Sequence, residues 1–355
     1  MAPRHPVGGR RQYRLIPPDE LERRAREVLP ADVFAYFAGG SGRGHTLAEQ
    51  ELSWRQLYLR PRILNDVSEV ATSVSLLGHA ASSPVVVAPS ALHGLAHSEA
   101  EVATARGSSA AGCRFVLSMR SSSRIEDVAA AGPFWQQIYV LKDRGVSDDI
   151  AIRAAELGAT ALMLTVDTPY VARKAAGIPQ RGPASGIVSA LDNRDEADKR
   201  YSQAADLTPD DLSRLAQVSG LPVIAKGVLR GDDAVRCVEA GAAAIVVSTH
   251  GGRQLDGAIP VPYALPEVVD AVGDRAEVYA DGGIRTGVDV VRALALGARA
   301  VMIGRPVIWA LATGGAPGVQ NLLTDLNDDV REALALAGCV SCADAGRDLI
   351  FRANF

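Results

Sequence analysis

The stretch Ala242-Ala-Ala-Ile-Val-Val-Ser-Thr-His-Gly-Gly-Arg-Gln-Leu-Asp256 joins a short apolar run to a polar loop. The run Ala242–Val247 has the length of a buried strand, and the glycines after it indicate a loop. His250 and Arg253 should therefore emerge at the carboxyl end of a parallel strand, where α/β folds place their chemistry. An imidazole exchanges a proton near neutral pH, and a guanidinium holds a carboxylate through two hydrogen bonds. The pair predicts an enzyme that deprotonates a small acid; a helix-capping histidine with a surface arginine is the plainer alternative.

The same pattern of apolar run, loop and amphipathic segment recurs from Pro84 onward. Eight runs fit it: Pro84–Ala88, Arg114–Leu117, Trp135–Tyr139, Ala159–Thr165, Pro222–Ala225, Ala242–Val247, Glu277–Ala280 and Ala298–Ile303. Strands that alternate with helices form right-handed βαβ units, and a count of eight predicts a closed (β/α)8 TIM barrel. An open doubly wound sheet is the competing fold. It usually carries a glycine fingerprint after its first strand, whereas Pro89-Ser-Ala-Leu92 follows here.

Helical segments flank the barrel within one predicted domain, residues 18–355, that follows a flexible basic arm at residues 1–17. The segment Pro18–Leu29 predicts a cap helix that opens at Asp19 and ends near Pro30, and Val319–Ala337 predicts a final helix.

The connection Pro169–Leu207, after the fourth run, is long and aperiodic, which is typical of a lid or of disorder. A helix should resume after it, with Thr208 as its cap and Pro209 in its first turn.

Composition narrows the class of protein. The chain has 355 residues, 48% hydrophobic and 5% aromatic, and a net charge of -4, without a lysine or arginine block to follow a phosphate backbone. No apolar stretch reaches the length of a membrane span or of a signal peptide. Four cysteines are too few for a disulfide framework, which favours a cytoplasmic location. Cys339-Val-Ser-Cys342 lacks a second ligand pair, so we interpret it as structural and predict no metal site.

Nearly every predicted strand delivers a polar group to its carboxyl end. They are Ser90, Ser118, Gln137, Tyr139, Thr165, Asp167, Lys226, His250, Arg253, Asp281, Arg285 and Arg305. Each alone could be a satisfied buried residue, but together they favour one shared polar ligand. Asp281-Gly-Gly-Ile-Arg285 and Gly304-Arg-Pro306 predict a phosphate site, because glycine amides and guanidiniums bind anions after the seventh and eighth barrel strands. The other polar groups suit the edge of a heterocycle, and Lys226 could stabilise negative charge on a reduced flavin.

These residues together resemble the FMN-dependent 2-hydroxy acid oxidase and dehydrogenase family from about Pro18 to the C-terminus. The motifs that carry the resemblance are Ser248–Asp256, Leu164–Pro169, Ala225–Gly227, Asp281–Arg285 and Gly304–Pro306. The stretch Phe37–Gly42 is most similar to the 4-hydroxymandelate oxidase branch.

The resemblance implies a role for each matching residue. His250 would be the base, Asp167 its orienting carboxylate, and Arg253 the group that grips the substrate carboxylate, while Tyr139 and Tyr36 bind the substrate. FMN would contact Pro89, Ser90, Ala91, Ser118, Gln137, Thr165, Lys226, Ser248, Asp281, Gly283, Arg285, Gly304 and Arg305. The implied reaction oxidises an L-2-hydroxy acid, an aryl one such as a mandelate, to the 2-oxo acid. O2 or another electron acceptor would reoxidise the flavin, and the analogy extends to a homotetramer.

The chain departs from the family at Lys174, where relatives carry a second carboxylate-binding arginine, and at Thr249, where asparagine is common. Lysine keeps the charge but loses the planar two-pronged donor. A second hypothesis therefore retains FMN and His250 but replaces the substrate by an amine or a modified biosynthetic intermediate. A third hypothesis is a barrel that binds flavin or phosphate without catalysis. The pairing of a base, His250, with an orienting carboxylate, Asp167, disfavours it, because a binding protein needs no such pair.

Overall fold

A closed barrel of eight parallel strands forms the centre of the computed structural model, which describes residues 17–175, 177–178 and 202–352. The described residues form twelve strands, of which β4–β11 make the barrel and the other four make two small two-stranded sheets. They are β1 (Leu57–Leu59), β2 (Val74–Leu76), β3 (His79–Ala81), β4 (Val85–Val87), β5 (Arg114–Leu117), β6 (Phe134–Ile138), β7 (Leu162–Thr165), β8 (Val223–Val228), β9 (Ala242–Val247), β10 (Glu277–Asp281), β11 (Ala300–Ile303) and β12 (Ile350–Arg352). The barrel order is β10-β11-β4-β5-β6-β7-β8-β9, and β9 pairs in parallel with β10 to close it. The predicted (β/α)8 fold is confirmed, with one strand in each predicted run.

Helices cover the barrel and extend it at both termini. They are α1 (Pro18–Val28), α2 (Ala31–Ala38), α3 (His45–Arg55), α4 (Ala100–Ala110), α5 (Ile125–Ala129), α6 (Arg144–Glu156), α7 (Asp210–Ser219), α8 (Gly231–Glu239), α9 (Val261–Val272), α10 (Gly287–Ala295) and α11 (Arg305–Leu336). The N-terminal cap therefore has three helices where the sequence predicted one. The final helix begins earlier than predicted, at Arg305, and is kinked at Gly315, whose φ is 57°.

Two predicted helix starts differ in detail. The cap helix α1 has Pro17 at its N-cap, so Asp19 lies in the first turn and does not cap the helix. The helix α7 has Pro209 at its N-cap, and the predicted cap Thr208 instead donates its backbone N–H to the Asp211 carboxylate (3.1 Å). In each case the rigid φ of proline sets the entry of the chain, and an acid in the first turn interacts favourably with the helix dipole.

The apolar residues of the barrel strands divide between two cores, because a strand buried on both faces packs inward and outward. Val86, Val116, Met163, Ile224 and Met302 fill the barrel interior. The hairpin β2–β3 packs on this interior cluster through Leu76, which is 1% exposed. The polar strand ends lie at the carboxyl end of the barrel.

Other predictions fall partly outside the described residues. The described residues leave out the predicted arm at residues 1–17, apart from Pro17, and much of the connection 169–207.

Cys339 and Cys342 are free thiols that are buried in the core. Among the described residues, no helix is long and apolar enough to cross a membrane.

Candidate active site

His250 and Asp167 form a hydrogen-bonded pair at the carboxyl ends of β9 and β7. The Nδ1 atom of His250 lies 3.0 Å from Asp167 Oδ1. An ionised carboxylate only accepts, so Nδ1 carries the proton and Nε2 keeps its lone pair in the neutral imidazole. Burial alone would raise the pKa of Asp167, but His250 and then Lys226 hold that pKa below its ordinary value. The pair therefore presents a nitrogen lone pair that can accept a proton, next to a carboxylate whose charge favours the protonated imidazole.

The backbone at His250 and the two residues after it adopts the left-handed conformation, which favours glycine. His250, Gly251 and Gly252 all have positive φ, at 56°, 65° and 70°. A Cβ on Gly252 would lie 2.8 Å from the Leu47 backbone in α3. His250 accepts the left-handed conformation with support from its backbone N–H, which donates to Ser248 Oγ (3.0 Å). This conformation fixes where the imidazole points.

Arg253 is anchored by the C-terminal carbonyls of the cap helix α2. Its Nη1 donates to the carbonyl oxygens of Tyr36 (2.8 Å) and Gly39 (3.0 Å). Its Nε and Nη2 donate to no acceptor among the described residues, so the fork that binds carboxylates is available. Burial lowers the pKa of Arg253, which Tyr36 and Tyr139 oppose.

Lys174 and Arg253 both lie against the ring of Tyr36. Its Nζ is 4.5 Å from the ring centroid of Tyr36, and the Arg253 guanidinium carbon is 5.1 Å from it. Burial, with Arg253 and Arg305, lowers the pKa of Lys174 to about 7. The structure thus brings together the predicted substrate-binding residues Tyr36, Lys174 and Arg253.

Tyr139 follows β6 and lies between charged groups. Burial raises the pKa of its phenol to about 12, with Arg120 and Arg253 opposing and Asp167 and Tyr36 adding to the rise. Tyr139 therefore remains a hydrogen-bond donor throughout the neutral range.

A buried polar network joins β8, β9 and β10 at the barrel mouth. Lys226 Nζ donates to Ser248 Oγ (2.8 Å) and forms an ion pair with Asp281 Oδ2 (2.8 Å). The Lys226 and Asp281 side chains are 5% and 8% exposed, so their charges interact in a largely water-free setting. Asp281 Oδ1 and Thr249 Oγ1 are buried without a hydrogen-bond partner among the described residues. Such atoms call for a further polar group.

A second network links β5, β6 and β7. Gln137 Nε2 donates to Thr165 Oγ1 (3.0 Å), and Gln137 Oε1 accepts from the Met119 backbone (3.0 Å) and Ser118 Oγ (3.4 Å). The predicted ring contacts are buried and lie on, or directly after, successive strands of the barrel: Ser118 follows β5, and Gln137, Thr165 and Lys226 lie on β6, β7 and β8.

Positive charge accumulates where the phosphate site was predicted. Arg305 donates to the carbonyls of Phe37 (3.0 Å) and Gly251 (2.9 Å), and Arg285 pairs with Glu51 of α3 (2.8 Å). Burial, with Arg253 and Arg285, lowers the pKa of Arg305 to about 9. Gly304 is the N-cap of α11, so a helix N-terminus also lies here.

Gly283 has a requirement that the sequence did not reveal. A Cβ at this position would lie 2.3 Å from the carbonyl oxygen of Gln50 in α3. The sequence predicted a glycine here so that an anion could approach closely. In the structure, the element that lies against its α-carbon is α3. Gln50 itself is buried and was not among the predicted site residues.

Arg120 is a further residue that sequence reasoning missed. It follows Ser118 by two positions in the loop after β5, and its guanidinium carbon is 5.8 Å from the Tyr139 ring centroid. Like the other predicted site residues, Arg120 follows the carboxyl end of a barrel strand, and this is the signal by which the sequence reveals it.

Comparison with known proteins gives concordant matches. A family model described as FMN-dependent dehydrogenase matches residues 25–352. The chain is 41% identical to an L-lactate oxidase of Nostoc sp., over 92% of this chain and 95% of that one. It is also 41% identical to a 4-hydroxymandelate oxidase of Amycolatopsis orientalis, over 92% and 96%. A solved structure of a mandelate oxidase variant with (S)-mandelic acid is 39% identical, with a TM-score of 0.85, over 95% of this chain and 98% of that one.

Proposed function

The chain belongs to the FMN-dependent dehydrogenase family, and from this premise we propose that it oxidises an L-2-hydroxy acid with an aryl, mandelate-like side chain to the 2-oxo acid. The observation that carries the proposal is the His250–Asp167 pair, which faces the same rim of the barrel as the available fork of Arg253. A proton acceptor beside a carboxylate-binding group is what removal of the α-hydroxyl proton of a hydroxy acid requires. We propose likewise that residues 18–355 form one FMN-binding domain.

The buried donors and acceptors at the barrel mouth fit FMN. Lys226, Gln137 and Thr165 offer hydrogen bonds to the heteroatom edge of a flavin ring, and the unpartnered Asp281 Oδ1 calls for a donor. The excess of positive charge around Arg285 and Arg305 suits a phosphate group. The residues that would hold FMN are Pro89, Ser90, Ala91, Ser118, Gln137, Thr165, Lys226, Ser248, Asp281, Gly283, Arg285, Gly304 and Arg305. When bound, FMN supplies the acceptor for the Cα hydrogen and two electrons of the substrate.

The side chains of the site have distinct tasks in this reaction. Arg253 Nε and Nη2, with Lys174, bind the α-carboxylate of the substrate and so set the position of its α-carbon. The Tyr139 phenol donates a hydrogen bond to the substrate's carboxylate or hydroxyl oxygen. His250 Nε2 takes the hydroxyl proton, and Asp167 stabilises the imidazolium that results.

Anaerobic reduction of the bound flavin tests the proposal. We expect L-mandelate and other L-2-hydroxy acids to bleach the flavin absorption, because His250 and Arg253 act on a hydroxyl next to a carboxylate. The D-enantiomers serve as the matched control and should be far slower. If no hydroxy acid bleaches the flavin while dithionite does, the assignment of substrate class is wrong.

Lys174 favours a second candidate, in which the same residues act on a substrate without a free carboxylate, such as an amine or a modified biosynthetic intermediate. A lysine whose pKa is about 7 is partly neutral at physiological pH, so it tolerates an uncharged group better than an arginine does. Bleaching by amino compounds or by 2-hydroxy amides, without bleaching by the acids, would establish this candidate.

Substrate capture should depend on pH through Lys174. The ammonium form is present below a pH of about 7 and is lost above it, so kcat/KM for a hydroxy acid should fall as the pH rises through this value. Lys174→Arg should remove this limb of the profile, because a guanidinium stays charged. A pH profile of kcat/KM for the two proteins makes the measurement, and identical profiles would contradict the role given to Lys174.

O2 is the electron acceptor that we propose, since the matched relatives are named as oxidases. Hydrogen peroxide formed in step with the 2-oxo acid is the expected result. Assembly as a homotetramer and a cytoplasmic location remain predictions.

A further inference from the structure

Arg120 has a fixed position at the rim of the barrel. Its backbone N–H donates to Ser118 Oγ (3.1 Å), and its carbonyl accepts from the Leu92 backbone (3.1 Å). The preceding residue, Met119, is held by Gln137 (3.0 Å). The loop that carries Arg120 is thus anchored on both sides to elements that line the predicted flavin site.

The guanidinium of Arg120 has no anionic partner among the described residues. Its one contact of note is with the face of Tyr139, at 5.8 Å, and its side chain is only partly exposed. Arg124, four residues later, shows the usual arrangement of a surface arginine, with 76% side-chain exposure and Glu126 at 3.4 Å. A partly buried guanidinium without an acid beside it is suited to bind an anionic group of a ligand.

Tyr139 places Arg120 relative to the rest of the site. The phenol of Tyr139 is affected electrostatically by Arg120, Asp167, Tyr36 and Arg253. Asp167 is committed to His250, and it is the one acid among these neighbours. Arg120 and Arg253 therefore both lie near Tyr139, while Lys174 and Arg253 both lie near Tyr36, so the three cations line one side of the predicted site.

We propose that the substrate is a 2-hydroxy acid whose side chain ends in a second carboxylate, and that Arg120 binds this second carboxylate. The inference rests on the proposed function, in which Arg253 and Lys174 bind the α-carboxylate, and it adds the group at the other end. A monocarboxylate satisfies Arg253 and Lys174 but supplies no counter-charge to Arg120, which has no acid beside it among the described residues. A planar guanidinium suits a carboxylate because it donates two parallel hydrogen bonds.

Pairs of substrates matched in size but not in charge test the proposal. (S)-2-Hydroxyglutarate is compared with (S)-2-hydroxypentanoate, and 4-carboxymandelate with 4-methylmandelate, by kcat/KM for anaerobic flavin reduction in the holoenzyme. We expect the diacid of at least one pair to be favoured on the order of 10- to 100-fold, the effect of a hydrogen bond to a charged group. A ratio of one or less in both pairs, with flavin reduction by the monoacids, overturns the inference and leaves the proposed function standing.

Variants of Arg120 separate binding of a second carboxylate from packing against Tyr139. Arg120→Gln should bring the diacid-to-monoacid ratio close to one, and Arg120→Lys should retain part of it. Arg124→Gln removes the same charge from the same loop and should leave the ratio unchanged. If Arg120 only packs on Tyr139, its loss slows both members of a pair equally and the ratio stays as in the wild type, which refutes the proposal.

Discussion

Replacing His250 with glutamine is expected to slow reduction of the bound flavin by substrate on the order of 10²- to 10⁴-fold. The glutamine amide can still donate to Asp167, which now lies 3.0 Å from His250 Nδ1, but it cannot accept a proton. The α-hydroxyl proton then lacks the acceptor that His250 Nε2 provides. Stopped-flow measurement of anaerobic bleaching, with the proposed substrate, gives the rate directly.

The matched control for His250→Gln is His79→Gln. His79 is exposed on β3, in the hairpin that packs against the interior core of the barrel. Its replacement should change neither the rate nor the flavin content. His250→Gln should also keep its FMN, because His250 is not among the proposed cofactor contacts. Turnover by His250→Gln within a few-fold of the wild type would show that another group is the base.

Replacing Lys226 with methionine is expected to lower the free energy of unfolding by about 3–5 kcal/mol and to weaken FMN binding. The substitution leaves the Asp281 carboxylate, 8% exposed, without the cation that lies 2.8 Å away. A buried charge that has lost its partner costs more than the pair was worth, because desolvation is no longer offset. Urea unfolding of the apoprotein measures the loss of stability, and a flavin titration measures the loss of affinity.

The double variant Lys226→Met/Asp281→Asn distinguishes the two effects. Because it removes both charges, it should recover a large part of the stability while FMN affinity and flavin reduction stay low. An apoprotein destabilised as much by the pair of substitutions as by Lys226→Met alone would argue against an uncompensated charge as the cause.

The fold could be predicted because its signal is local and repeated. Most residues in each of the eight runs are apolar, as expected of strands buried on both faces, and the spacing between the runs leaves room for helices. The cap helices α2 and α3 were missed because neither segment belongs to the repeated pattern of run, loop and helix. The segment Ala31–Ala38 is short and almost wholly apolar, and such a segment does not reveal whether it is a helix or a strand. Its packing, with Phe34 stacked on Trp309 at 5.0 Å, depends on a residue far along the chain.

The candidate site was predicted to the extent that it follows from topology. Parallel strands bring their carboxyl ends to one rim, so His250, Asp167 and Lys226 had to lie close to one another. The reason for Gly283 could not be predicted, because it depends on the close approach of α3, more than 200 residues earlier. The same holds for the hydrogen bonds of Arg253 with the carbonyls of Tyr36 and Gly39.

Arg253 and Arg305 both bind the carbonyl of Gly39, at 3.0 Å each, so the two guanidiniums recognise main-chain atoms of the N-terminal extension. Hydrogen bonds to main-chain carbonyls do not depend on which side chains the residues carry, only on the path of the backbone. A single insertion or deletion at residues 36–39 would therefore displace both arginines at once. The Tyr36 ring, which contacts Lys174 and Arg253, and Gly39, where a Cβ would lie 2.7 Å from the Ala35 carbonyl oxygen, add requirements of their own. Chimeras that exchange this extension between relatives should be spliced with that constraint in view.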